Sequence, residues 1–268
     1  MYSTVIIDTN CLAHICWRKW YGESAHMQAF IEDTIHTYSY LPFMPEPADH
    51  ILWVGDSKPY FRTKMMMSES MGVYKGTRSD RSSEQQDFLS IFNKVANPVL
   101  FPHYEADDLI AGYIRERRDV EKIRICTVDS DLMQLIHANV DWFCIYGFPP
   151  QLRSLTGGMD TWLTKKFSKL SNKRIGHLDV NNPQSIIDWK VEYGDIADNI
   201  PAGEQSRSLI DLFNPPAEYL LSNVHPNFIE IMDDRKVKVR KDRPKWVVRK
   251  EYEDRNYMYF PTKVYEES

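Results

Sequence analysis

Three short apolar runs, each closed by an acidic residue, constrain the fold of this chain more than any other feature. They are Thr4 to Ile7 before Asp8, Ile51 to Val54 before Asp56, and Ile123 to Val128 before Asp129. Runs this short and rich in β-branched residues suit strands buried on both faces, as in parallel sheets. Helical patterns lie between them at Met27 to Tyr38, Glu84 to Val95 and Asp107 to Glu116. The alternation of β and α predicts an α/β fold with a doubly wound parallel sheet flanked by helices. Ligands of such sheets sit beyond the carboxyl ends of the strands. All three strand-end aspartates are therefore expected on one edge.

With 268 residues, 43% of them hydrophobic, the chain can bury one main core and a small appendage. Pro42 to Pro47 is expected to be a loop, and Phe148 to Gly158 breaks the pattern before a helix around Met159 to Leu170. Asn214-Pro215-Pro216 is the candidate boundary, which gives a main domain over 1–212 and a basic, aromatic-rich region over 213–268. Cys11, Cys16, Cys126 and Cys144 form no C-x-x-C pair and read as buried thiols of a reducing compartment. Met1 to Asp8 has no signal-peptide pattern, and no run approaches the roughly 20 apolar residues that span a bilayer, so the expectation is a cytoplasmic protein without a membrane partner. The net charge of -5 does not advertise a polyanion binder, so any nucleic acid must meet local basic patches.

The acids carry the chemistry. Besides Asp8 and Asp56 there are Glu105-Ala106-Asp107-Asp108, Asp129-Ser130-Asp131 and Asp195-Ile196-Ala197-Asp198. Glu105 and Asp108 stand at i and i+3 where a helix begins, so they share a face and meet the positive end of the helix dipole. Asp129 and Asp131 leave a strand in extended conformation and point the same way. Two such anions about 4 Å apart repel by about 4 kcal/mol even at an effective dielectric near 20, so a convergent group needs a cation. Oxygen-only donors suit Mg²⁺ or Mn²⁺, and two such ions about 4 Å apart can drive in-line cleavage of a phosphodiester. The bland alternative for each acid is a helix cap or turn former, Asp8-Thr9-Asn10 above all. Recurrence of the same event at three strand ends and two helix starts favours a site.

Taken together, strand-Asp8, Val54-Gly55-Asp56-Ser57, Tyr74-Lys75-Gly76-Thr77-Arg78, Glu105-Ala106-Asp107-Asp108, Thr127 to Leu135 and Gly194 to Pro201 resemble the 5′-nuclease family. That family includes phage flap endonucleases, the phage enzyme called ribonuclease H and the N-terminal exonuclease domain of bacterial DNA polymerase I. The resemblance covers about Ser3 to Pro201. It implies a PIN-like fold, two or more metal ions, and hydrolysis near 5′ ends, nicks or flaps of DNA, or of RNA in RNA–DNA hybrids, in phage-type replication alongside replication proteins. Asp8, Asp56, Glu105, Asp107 and Asp108 would gather the first ion, and Asp129, Asp131, Asp195 and Asp198 the second. A helical arch would run from about Lys64 to Asn97. In it Tyr74 would stack a base, Lys75 polarise the scissile phosphate and Arg78 clamp a phosphate.

Arg62 and Arg81 are further phosphate candidates, and Met65, Met66, Met67 and Met71 are expected to fill core. The stretch from Arg62 to Tyr74 is longer than the family commonly has. After Pro201 the chain reads Ala202-Gly203-Glu204-Gln205-Ser206-Arg207-Ser208, shorter than the family's helix-hairpin-helix, which leaves a potassium ion (K⁺) and the usual duplex grip without their motif. Arg207, the basic cluster Lys165, Lys166, Lys169, Lys173 and Arg174, and the stretch from Arg235 to Lys250 are the candidates to compensate. Within the last of these, Lys238 and Arg240 lie on the alternating run Lys236 to Arg240, read with the turn at Asp242-Arg243-Pro244 as a hairpin.

Two other functions share some of these features. A PIN-type endoribonuclease would use the acids without the Tyr74 to Arg78 element, and a nuclease-dead scaffold would bind nucleic acid having lost acids. A phosphatase with an Asp-x-Asp nucleophile is disfavoured because Asn10 stands at the third position.

Overall fold

Strand β1 (Tyr2–Asp8) is the axis of the molecule in this computed structural model, which describes residues 2–18, 20, 26–40, 48–76, 81–144, 154–155, 182 and 184–239. It pairs in parallel with β2 (Ala48–Val54) on one side and β3 (Ile123–Thr127) on the other, and β3 pairs in parallel with β4 (Val140–Cys144). Short antiparallel strands β5 (Ser154–Leu155) and β6 (Val237–Lys238) close the edges, giving the order β5-β4-β3-β1-β2-β6. The chain leaves β1 toward β2 and later returns to its other flank, so the direction of winding reverses at β1. That reversal opens a crevice beyond the carboxyl ends of β1 and β3. Asp8 and Asp129 stand there.

Both faces of the sheet are covered, and alternate side chains divide between two cores. Val5, Ile7, Ile51, Trp53 and Cys126 face helices α1 (Thr9–Trp17), α2 (Met27–Tyr40) and α4 (Ser83–Ala96). Ile6, Leu52, Val54, Ile123 and Ile125 face α3 (Phe61–Ser68), α5 (Ala106–Arg117) and α6 (Ser185–Tyr193). The predicted parallel sheet and the three predicted helices are present. Cys11, Cys16 and Cys126 are free thiols. No helix among the described residues is long and apolar enough to cross a membrane.

Three expectations are qualified by the structure. The two ends of the stretch read as an arch are packed, with Met65 and Met66 of α3 buried and Phe88, Leu89 and Phe92 anchoring α4 in the second core, while Met67 to Ser70, Gly72, Val73 and residues 81–84 between them are exposed. The backbone between α3 and Gly76 is tied as well, through Met71 N–H to Met66 O at 2.9 Å and Lys75 N–H to Asp198 O at 2.8 Å. Among the described residues, the chain beyond the boundary at 213 packs on the main core: Leu221, together with Phe228 and Met232 of helix α9 (Phe228–Asp234), is buried with Leu109 and Ile110 of α5. Helices α7 (Arg207–Ile210) and α8 (Leu221–Val224) complete that side. A Cβ on Gly112 would come within 2.8 Å of Leu221, so the absence of a side chain there lets this segment dock. Finally, Val237 and Lys238 extend the main sheet through β6, with Lys238 opposite His50, while the turn and second strand of the expected hairpin lie outside the described residues. Residues 240–268 and the expected helix at Met159 to Leu170 lie outside the described residues.

Candidate active site

Each strand-end aspartate has a local reason for its position. Asp8 ends β1 and caps α1: Oδ1 accepts from the Cys11 N–H at 2.9 Å, while Oδ2 accepts from the Thr127 hydroxyl at 3.1 Å. Capping and siting are here one arrangement. Asp56 accepts from the Ala106 N–H at 2.8 Å and from the Tyr60 hydroxyl at 3.1 Å, which fixes it against the start of α5. Asp129 accepts from the Asp131 N–H at 2.9 Å in the turn that follows β3. Asp195 accepts from the Ala197 N–H at 3.0 Å.

These residues line a cleft of two lobes. The larger, of about 950 Å³, is walled by Asp8, Asp56, Glu105, Asp107 and Asp129, with Arg18, Lys58 and Arg81 at its sides. The smaller, of about 470 Å³, holds Asp107, Asp129, Asp131, Asp195 and Asp198. Lys75, Asp107 and Asp129 belong to both lobes and mark where they meet.

Lys75 adopts a left-handed backbone conformation with φ 57°. Its ammonium pairs with Glu105, lies 3.8 Å from Asp198, and sits 5.1 and 5.0 Å from the ring centroids of Tyr60 and Tyr74. Tyr74 does not offer a face for stacking. It is buried, and its hydroxyl donates to Glu105 at 2.6 Å and Asp198 at 3.0 Å. Arg62 is likewise buried, where no phosphate can reach it. It donates to Glu105 at 3.0 Å and grips both oxygens of Asp108 at 2.8 and 2.5 Å. Asp108 also accepts from the Glu105 N–H at 3.0 Å, so its carboxylate is committed to Arg62 and the helix start rather than to the cleft.

The other basic candidates divide by place. Arg81 is exposed beside the larger lobe. Arg207 is engaged by Asp188 at 3.0 Å and by Glu204, outside both lobes. Lys238 sits on the sheet edge toward the amino end of β2, away from Asp56. Arg78, Lys165, Lys166, Lys169 and Arg240 lie outside the described residues. Sequence reasoning missed Lys190, Lys58, Arg18 and Tyr60. Lys58 and Tyr60 follow Asp56 closely enough to have been suspected, whereas Arg18 depends on the unanticipated helix α1.

The electrostatics show a site short of positive charge. Burial first, then the charges of Asp56 and Asp129, raise Asp8 from an ordinary 3.8 to about 7 against the pull of the Cys11 N–H. Asp107 is pushed well above the usual range by desolvation and by Asp129 and Asp8, and no group among the described residues donates to it. Burial and Asp129 lift Asp131 to about 7 although Lys190 opposes them. Glu105 goes the other way: burial would raise it, but Arg62 and Lys75 hold it below the ordinary value.

Among the described residues no three acids close into a finished metal cage. The donor set nevertheless fits a hard cation, since its oxygens repel one another and face open volume. Raised carboxyl values mean that the folded state holds more protons than the unfolded one between about pH 4 and about pH 7, so stability falls as pH rises through that window. In chelator, Tm is therefore expected to drop from pH 5 to pH 8, and a divalent ion should restore it at pH 8. Melts showing a Tm that rises with pH in chelator would contradict this.

Two solved structures of the bacteriophage T5 flap endonuclease share the fold. One is a pseudo-enzyme–product complex with DNA and metal ions, with a TM-score of 0.51 and 15% identity over 87% of this chain and 89% of that one. The other was co-crystallised with metal ions, with a TM-score of 0.50 and 16% identity over 87% and 90%. No curated protein matches the chain in sequence. A family model described as the 5′-3′ exonuclease N-terminal resolvase-like domain matches residues 3–159, more than half of the chain. The chain belongs to the 5′-3′ exonuclease and flap endonuclease family.

Proposed function

We propose that this protein is a divalent-metal-dependent 5′ nuclease that hydrolyses phosphodiester bonds near 5′ ends, nicks or flaps of DNA, and in RNA–DNA hybrids. The observation that carries the reading is the two-lobed cleft whose lobes meet at Lys75, Asp107 and Asp129, at the point where the sheet reverses. Asp8, Asp56, Asp107 and Asp129 would hold one Mg²⁺ or Mn²⁺ ion, and Asp129, Asp131, Asp195 and Asp198 a second. Bound there, such ions supply an activated water and charge stabilisation for the leaving oxygen. Oxygen donors spaced by a cleft, rather than closed round one ion, leave coordination positions for a phosphate.

The chain's own groups do the positioning. Glu105 and the rings of Tyr60 and Tyr74 hold the Lys75 ammonium at the junction of the lobes, where it faces the phosphate to be cut. Arg18, Lys58 and Arg81 line the larger lobe and suit the backbone on either side. Arg78 belongs to the same proposal through the motif it shares with the family. Kinship of fold with a phage flap endonuclease supports a role in phage-type DNA replication.

A cleavage panel in Mg²⁺ tests the reading, comparing 5′-flap DNA, nicked duplex, RNA–DNA hybrid, single-stranded DNA and single-stranded RNA. Flap and 5′-ended substrates should be cut fastest, with all cleavage abolished by chelator. Preferential cutting of single-stranded RNA would favour an endoribonuclease instead.

A further inference from the structure

The two lobes differ in how their negative charge is met. In the larger, Asp8 and Asp107 form no ion pair among the described residues. In the smaller, Lys190 of α6 lies with its Nζ 2.5 Å from Asp131 Oδ2 and 2.5 Å from Asp195 Oδ2. The local fold builds this contact. Gly194, with φ 78°, ends α6 and reverses the chain, and a Cβ there would meet Ile200 O at 2.8 Å, so Asp195 folds back over the last turn of the helix that carries Lys190. Asp195 Oδ1 already accepts the Ala197 N–H at 3.0 Å, which leaves Oδ2 as the oxygen presented to a cation. An ammonium held by two carboxylates at this depth is a positive charge, one unit against the two of a divalent ion, in the place to which such an ion would be drawn.

We infer that Lys190 is a resident cation of the smaller lobe, so that the ion bound by Asp131 and Asp195 enters only by displacing the ammonium, whereas the ion of the larger lobe displaces no cation paired to Asp8 or Asp107 among the described residues. The inference rests on the metal-centre reading above and deepens it. It makes metal loading ordered, the Asp8–Asp107–Asp129 position first and the Asp131–Asp195 position second.

Mn²⁺ titrated into the metal-free full-length protein, followed by calorimetry and by the paramagnetic signal of free Mn²⁺, tests this without any activity assay. The wild type should take up one ion tightly and a second at least about tenfold more weakly, since the second competes with a charge drawn to the same carboxylates. In Lys190→Gln, which keeps a hydrogen-bond donor but removes the charge, the second ion should tighten by at least about tenfold while the first is unchanged. Lys190→Met should do the same, and both metal-free variants should melt below the wild type until Mn²⁺ is added. Lys190→Arg, which keeps the charge, should keep the wild-type gap. Equal second-site affinity in the wild type and Lys190→Gln overturns the displacement while leaving the metal centre intact. A wild type that binds no Mn²⁺ overturns the metal centre itself.

Discussion

Asp129→Asn is expected to reduce Mg²⁺-supported cleavage of 5′-flap DNA by about 10³-fold or more while leaving the fold intact. Asp129 lines both lobes, so losing its charge weakens whatever either lobe binds. A metal ion contributes several kcal/mol to phosphoryl chemistry, and about 4 kcal/mol corresponds to roughly 10³ in rate. The fold should survive for two reasons. An Asn side-chain oxygen can still accept the Asp131 N–H, and the Asp129 carbonyl still accepts from the Trp142 indole at 2.9 Å. The substitution also removes one of the mutually repelling anions, so the metal-free variant should melt at or above the wild-type temperature. Single-turnover rates at saturating enzyme, with melting curves in chelator, separate the two effects.

Arg62→Met should produce the largest loss of stability, on the order of 3–5 kcal/mol, because it strands the buried Asp108 carboxylate and takes one of the partners of Glu105, which keeps Lys75 and Tyr74. Glu105 and Asp108 both lie under a tenth exposed, and Arg62 meets them together while its Nε donates to Leu209 O at 3.1 Å. A lysine cannot replace this fork, since one ammonium cannot satisfy both oxygens of Asp108 and reach Glu105 and a carbonyl as well. Arg62→Lys is therefore expected to recover only part of the loss. Denaturant unfolding measures both variants. Wild-type stability of Arg62→Met would show that the network is dispensable and that Arg62 is free for another task.

Strands β1, β2 and β3 were legible in the sequence because they are short β-branched runs with an aspartate at or just beyond the end, whereas β4, with Asp141 inside it and two aromatic residues, carries no such signal. The sharing of cleft acids was legible for the same reason: strand ends and helix starts place their residues on one edge. What remained hidden was the assignment of individual charges. Arg62, Lys75 and Lys190 look alike as basic letters in helical or irregular stretches. Yet one is a buried clamp, one stands at the junction of the lobes, and one fills a carboxylate pair. Sequence spacing carries helical phase but not which of two neighbouring acids a cation will choose, so Asp108 read as a ligand beside Asp107. Tyr74 misled for a related reason, since an aromatic next to Lys75 suits base stacking as well as it suits a buried hydroxyl relay. The segment beyond Pro216 misled because its apolar residues follow a proline pair, a signal that marks turns on the surface of one domain as readily as boundaries between two.

Anomalous scattering from crystals of the wild type and Asp129→Asn grown with Mn²⁺ tests the central claim most directly. The wild type should show a peak between the carboxylates of Asp8, Asp107 and Asp129 at coordination distances of about 2.0–2.3 Å, and Asp129→Asn should lose it or show it much reduced. Wild-type crystals with no ion in the cleft at millimolar Mn²⁺, or an equal peak in both proteins, would contradict the account.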